Sequence, residues 1–174
     1  MKNNAFNEMI KPVIVLLVIC LVVSALLGFT NSVTAPIIAE NERIVAEQTR
    51  AAVLEGSNGF TKVECDTAAL GITSAYKENN GLGYVITAAN KGYGGDVVVT
   101  VGLDADGKVV GLSANVSTET SGVGSKAGTE AYTGKYIGLS GSCSDVDTIS
   151  GASLSSRAVR TGVNAALAAY AAIK

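Results

Sequence analysis

An α+β architecture is predicted: an N-terminal transmembrane helix and a stalk helix, then one small domain with an antiparallel sheet and a C-terminal helix. Three observations predict it. Pro12–Phe29 is an apolar run of eighteen residues without a charge. Asp96–Leu112 reads as strand, tight turn and returning strand. The segment from about Leu154 to Ile173 repeats apolar residues at helical spacing.

The chain has 174 residues, which leaves room for one domain of ordinary size once a membrane segment is set aside. Lys and Arg number 13 and Asp and Glu 15, a net charge of −2 with no basic cluster, which argues against nucleic acid as a partner. Histidine is absent, excluding His-dependent triads and His-ligated zinc or haem. Cys20, Cys65 and Cys143 form no C-x-x-C, so a zinc ribbon, a cysteine-bound iron–sulfur cluster and a thioredoxin motif lack support. Cys65 and Cys143 share the soluble part, either paired in an oxidising compartment or as two buried thiols.

Residues 1–11 read as a cytoplasmic N-terminus and 12–30 as the membrane helix, in contact with the lipid bilayer. At 1.5 Å per residue, eighteen residues span roughly 27 Å, close to the hydrocarbon thickness of a bilayer. A cleaved signal peptide has a shorter apolar core, about 7–15 residues, and a small-residue cleavage site, so an uncleaved anchor is the better reading. A lipoprotein signal at Leu17-Val18-Ile19-Cys20 fails because the residues before the cysteine are bulky. Lys2 and Lys11 precede the run and no positive residue follows until Arg43, which places the N-terminus inside and the main domain outside.

Thr34-Ala35-Pro36 is expected to break the run and open a stalk helix, residues 31–56. Ile37, Ile44 and Ala51 repeat at seven, as do Ile38, Val45 and Ala52, among Glu40, Glu42, Arg43, Glu47 and Arg50. Gly56-Ser57-Asn58-Gly59 ends it, and residues 57–174 form the domain. Phe60–Glu64 and Tyr84–Thr87 read as strands. Asp96–Leu103, the turn Asp104-Ala105-Asp106-Gly107 and Lys108–Leu112 form a hairpin. Gly92, Gly94 and Gly95 mark a tight entry to it, where backbone could approach a ligand. In the final helix Val159, Val163, Ala166, Tyr170 and Ile173 make the stripe that docks on the sheet. Arg157 and Arg160 lie off that stripe, near the start, either facing a phosphate or solvated.

Asp147-Thr148-Ile149-Ser150-Gly151-Ala152-Ser153 puts a Ser-Gly-Ala turn and a hydroxyl directly before the final helix. A helix start offers free N–H groups and the positive end of a dipole, so a phosphate there is well held. By itself the step is also what an ordinary N-cap looks like. Thr118-Glu119-Thr120-Ser121-Gly122-Val123-Gly124-Ser125-Lys126 is a glycine- and hydroxyl-rich loop able to wrap a ligand. Ser74-Ala75-Tyr76-Lys77 fits the S-x-x-K of serine hydrolases, but the companion motifs of that class are missing.

The Asp147–Ser153 stretch resembles the flavin-attachment motif of the covalent FMN-binding domain family. In that family an Asp precedes Ser/Thr-Gly-Ala-Thr and the last hydroxyl becomes a phosphoester of FMN. Lys91–Gly95, the hairpin, Glu119–Gly124 and this motif follow the family's order, and the Thr-Ala-Pro segment also looks like it. The resemblance runs from about Pro12 to Tyr170. It is to the G subunit of the Rnf electron-transport complex and its relative, the C subunit of the sodium-pumping NADH:quinone reductase. Two departures stand out: Ser153 replaces the usual Thr, and Ser121 replaces a common proline.

The resemblance implies a membrane-held flavoprotein passing electrons between neighbouring membrane and peripheral subunits of an Rnf complex, coupled to ion movement. FMN would be installed by a separate FMN transferase that uses FAD. It implies Ser153 as the covalent FMN carrier, Ser150, Gly151 and Ala152 as the close-approach turn, and Asp147 as part of the transferase's recognition element. Glu119, Thr120, Gly122, Val123 and Gly124 would line the ribityl or ring portion. Lys126 could stabilise a reduced anionic flavin, an exposed lysine being the plainer reading. The alternatives are a stand-alone membrane-tethered carrier or sensor, and a non-flavin structural subunit.

Overall fold

The computed structural model describes residues 2–65 and 71–173. Two compact units divide the chain, Met1–Ala46 and Glu47–Lys174. Helix α1 runs Lys2–Val53. The expected break at Thr34-Ala35-Pro36 is absent: α1 is continuous, with Pro12 and Pro36 inside it. A proline removes one rung of the i→i−4 ladder, and the helix runs on through both positions. The Ser32 and Thr34 hydroxyls donate to the carbonyls of Phe29 (2.8 Å) and Thr30 (2.9 Å) beside that gap. The helix is long and apolar enough to cross a membrane, with a mean hydropathy of 3.0 in its most apolar window.

The second unit is a five-stranded antiparallel meander in chain order. Its strands are β1 (Phe60–Val63), β2 (Ile72–Glu78), β3 (Gly83–Lys91), β4 (Asp96–Asp104) and β5 (Val109–Asn115). The expected hairpin is β4 and β5, with β5 continuing three residues further than its apolar pattern suggests. Strand β2 goes beyond the sequence expectation. Its buried positions, Ile72, Ala75 and Glu78, are spaced by three, and its pairing with β3 slips between Ile72 and Ser74. A bulge of that kind erases the two-residue alternation by which a half-buried strand is recognised.

Helix α3 (Ser153–Ile173) covers one face of the sheet. Val97, Val99, Val101 and Leu103 of β4 and Ile86 of β3 meet Val159, Val163 and Ala166, all fully buried. This is the stripe expected from the apolar spacing. Between β5 and α3 the chain makes short turns and the one-turn helix α2 (Glu130–Thr133). These bury Tyr132 and Tyr136, whose hydroxyls bond to each other at 3.0 Å. Burial, then the Tyr132 hydroxyl, pushes the Tyr136 phenol far above the usual tyrosine range.

On the opposite face Val53 and Leu54 pack with Val85 and Phe60, so the last turns of α1 belong to the globular unit. Gly102 of β4 and Gly111 of β5 are register partners there. A Cβ on either would lie 2.1 Å from the Val53 carbonyl oxygen. The paired glycines thus form the seat on which the helix end rests.

A second tie is Glu78, buried with no ion-pair partner among the described residues. Its carboxylate accepts from the N–H groups of Asn58 (3.1 Å), Asn80 (2.7 Å) and Leu82 (3.1 Å). Burial alone would raise this carboxyl; the N–H groups outweigh it and hold the group below the usual carboxylate range. The link after α1 is thereby bound to the β2–β3 turn.

Gly111→Ala should destabilise the globular unit by about 1–3 kcal/mol, the usual cost of forcing atoms into a filled site. A lowered unfolding midpoint of the detergent-solubilised full chain is the expected reading, and an unchanged midpoint would contradict the seat.

Candidate functional site

The chain reverses into α3 through Ser150-Gly151. Gly151 adopts φ +79°, a left-handed conformation that glycine takes without a steric cost. The Ala152 N–H closes the turn on the Ile149 carbonyl at 3.0 Å. Three serines then share the first turn of α3, each differently placed. The buried Ser156 hydroxyl accepts from the Ile149 N–H (3.1 Å) and donates to the Ala152 carbonyl (2.8 Å). The Ser155 hydroxyl is buried and donates to the Glu119 carboxylate. Ser153 is exposed, and its hydroxyl takes part in no hydrogen bond among the described residues. Ser153 is therefore not the side-chain cap of this helix. It is a free alcohol at a helix start whose first N–H groups have no intrahelical partner.

Beside that start lies a cavity of about 480 Å³, within the range of small-molecule and cofactor sites. Glu119, Thr120, Val123, Gly124, Gly151, Ala152 and Ser153, all expected from the sequence, line it. Tyr93, Leu154 and Ser155 line it as well and lie outside that expectation. Tyr93, Val123 and Leu154 are 74%, 43% and 50% exposed, so three large apolar side chains stand at the cavity unburied. Sequence spacing offers no signal for Tyr93, which owes its place to the turn that carries it. For Ser155 a signal exists: it is a polar residue on the inner side of the helix's first turn.

Ser150, Gly122, Lys126 and Asp147 are not among the lining residues. Gly122 turns the loop at φ +75° and gives its N–H to the Ser125 hydroxyl at 2.9 Å. Lys126 sits in the short helical turn Gly124–Gly128 with its side chain exposed. Asp147 and Ser150 are exposed on the approach to α3. Arg160 turns to the carbonyls of Val146 (3.1 Å) and Ser144 (3.4 Å), bracing that approach; Arg157 is exposed.

Glu119 holds the walls together. It is 7% exposed. Its Oε1 accepts from the N–H groups of Tyr93 (3.0 Å) and Gly94 (3.1 Å), and its Oε2 from Ser155. One carboxylate thus joins the β3–β4 turn, the 118–124 loop and the start of α3. Two glycines make room for this clasp: Gly92, one of those expected to let backbone approach a ligand, and Gly124 of the 118–124 loop. A Cβ at Gly92 would fall 2.3 Å from Glu119 Oε1, and one at Gly124 would fall 2.8 Å from Oε2. Burial alone would push the Glu119 carboxyl up. The Ser155 hydroxyl and the N–H groups of Gly94, Tyr93 and Gly95 outweigh it and hold the group below its ordinary value.

A carboxyl lowered in the folded state binds fewer protons than in the unfolded chain, so its stabilisation is complete above the ordinary carboxylate range. It is lost as pH falls through the lowered folded-state value. Glu119→Gln should cost about 1–3 kcal/mol at neutral pH, the scale of hydrogen bonds to a charged group. Thermal unfolding of both proteins across pH should show the gap narrowing below the ordinary carboxylate range; a gap constant with pH would refute the ionised clasp.

The geometry agrees with what the chain is similar to. Residues 92–168, from the β3–β4 turn into α3, match the FMN-binding domain family, and residues 1–53, the whole of α1, match the RnfG N-terminal region. The G subunit of the proton-translocating ferredoxin:NAD(+) oxidoreductase complex of Clostridium ljungdahlii is 25% identical over 162 residues, covering 87% of this chain and 86% of that protein. The G subunit of the Na(+)-translocating ferredoxin:NAD(+) oxidoreductase complex of Acetobacterium woodii is 29% identical over 184 residues, covering 90% and 89%. Two matched regions in this order, with relatives aligned over most of both chains, make the chain similar along most of its length to G subunits of ferredoxin:NAD(+) oxidoreductase complexes, with an RnfG N-terminal region followed by an FMN-binding domain.

Proposed function

We propose that this chain is the membrane-anchored electron carrier of an Rnf-type ferredoxin:NAD oxidoreductase complex, with FMN held as a phosphoester of Ser153. The observation that carries the reading is the exposed Ser153 hydroxyl, without a hydrogen-bond partner among the described residues, at the start of α3 beside the 480 Å³ cavity. The residues fit such a group. The helix start favours a phosphate, the exposed Tyr93, Val123 and Leu154 suit an aromatic ring system, and Thr120 offers a hydroxyl.

FMN, when bound, supplies the redox chemistry, and the protein sets its place and surroundings. A separate FMN transferase would join Ser153 Oγ to the FMN phosphoryl group of FAD, the serine hydroxyl giving up its proton and AMP leaving as the pyrophosphate bond breaks. Ser150, Gly151 and Ala152 keep the turn open for close approach to Ser153, and exposed Asp147 serves transferase recognition. Thr120, Val123 and Gly124 form the opposite wall, with Gly122 shaping its loop. Lys126, exposed and outside the lining, is the residue that could reach a reduced anionic flavin only through its long side chain.

Residues 12–30 span the bilayer, 31–56 form the stalk and 57–174 carry FMN, with 1–11 cytoplasmic and the FMN domain extracytoplasmic. The asymmetry of Lys2 and Lys11 against the uncharged stretch to Ala39 supports that orientation. Electrons pass to and from other membrane and peripheral subunits of the complex.

The test is intact mass and in-gel fluorescence after denaturation, on full-length protein co-expressed with an FMN transferase, beside Ser153→Ala. The wild type should gain the mass of one FMN residue and fluoresce, and Ser153→Ala should do neither. An unmodified wild type, with the transferase active on a threonine-bearing control, would overturn the covalent assignment.

A further inference from the structure

We propose that Glu119 is the electrostatic determinant of this site's reduction potential, holding it below the value it would have without that charge. The inference rests on the FMN reading above and adds to it the residue that sets the energy of electron uptake.

Glu119 is the one formally charged side chain among the described residues lining the cavity. It cannot swing away, because both oxygens are engaged: Oε1 by the Tyr93 and Gly94 N–H groups, Oε2 by the Ser155 hydroxyl. Every one of those donors is neutral, so the ionic charge is not cancelled. No cation pairs with Glu119 among the described residues. The Lys126 side chain is exposed and outside the lining, and Arg160 is committed to the Val146 and Ser144 carbonyls. A buried charge is screened by solvent far less than a surface one. An electron entering the cavity therefore meets a fixed negative charge in its wall and enters at a lower potential. The charge in the cavity wall is opposite in sign to that of Lys126, which lies outside the lining.

The experiment is an equilibrium dithionite titration, with mediator dyes, of detergent-solubilised full-length protein loaded by the transferase. Each electron gained by the bound flavin is lost by dithionite, which is oxidised to sulfite. Glu119→Gln removes the charge and keeps much of the shape. Its midpoint should move positive by an amount equivalent to about a tenfold change in the reduced-to-oxidised ratio, about 59 mV for one electron. Ser155→Ala keeps the carboxylate and removes its neutral donor, so its midpoint should stay at or below wild type. Equal midpoints in wild type and Glu119→Gln would overturn the proposal. So would an equal positive shift in Ser155→Ala, which would trace the effect to the loop and not the charge. If Glu119→Gln takes up no FMN, Thr120→Lys, on the exposed wall, places a compensating charge; a positive shift there supports the proposal and no shift overturns it. Absence of flavin from the wild type would defeat the FMN reading itself, a separate and visible outcome.

Discussion

A carboxylate buried among neutral donors is the constraint on which the site depends. Glu119 is costly to bury, and the cost is offset only while three segments distant in sequence hold their donors toward it. The β3–β4 turn brings Tyr93 and Gly94, the helix start brings Ser155, and the 118–124 loop brings the carboxylate itself. Remove any one and a nearly buried charge is left partly unsatisfied. The cavity is the space these three walls enclose, so its shape follows from satisfying a single side chain. The glycines at 92 and 124 belong to the same constraint, since a side chain at either would displace the carboxylate.

Glu78 repeats the device at the other end of the sheet, where its carboxylate gathers N–H groups from the link after α1 and from the β2–β3 turn. The two acids do for loops what apolar side chains do for the sheet. Val97, Val99 and Val101 fasten β4 to α3 by burial, but a turn of glycines and asparagines has little apolar surface to bury. A carboxylate that collects several amides is a compact substitute for a core.

How much of this is legible in the sequence depends on whether the controlling pattern is local. The β4–β5 hairpin announces itself because β-branched residues flank Asp104-Ala105-Asp106-Gly107, and α3 because its apolar residues recur at helical spacing. Strand β2 is hidden by its bulge and by a buried glutamate where an apolar residue would be sought. Pro36 reads as a helix break, although the ladder on both sides of it holds. Within the site, Glu119, Thr120, Val123 and Gly124 and the Gly151–Ser153 turn stand out as motifs, and the fold brings them to one cavity. Tyr93 does not, because its relation to them is made by the register of β3 on β4, which pairs Lys91 with Asp96 and leaves a four-residue turn at the cavity. The role of Glu119 also escapes the sequence, because a ligand contact and a clasp look alike until the donors are seen.

Strand order that follows chain order has a consequence for how the protein matures. Each strand pairs with the next, so the meander forms by closing short loops, the kind of contact that costs little chain entropy. The cavity is different: its walls come from residues near 93, 119–124 and 151–155, and the last of these arrive only when α3 settles on the completed sheet. The Ser153 hydroxyl therefore reaches its final setting only with α3 in place. A chain that stalls earlier displays Ser153 without the walls around it, so attachment of a cofactor at that residue would serve as a covalent record that the domain had finished folding.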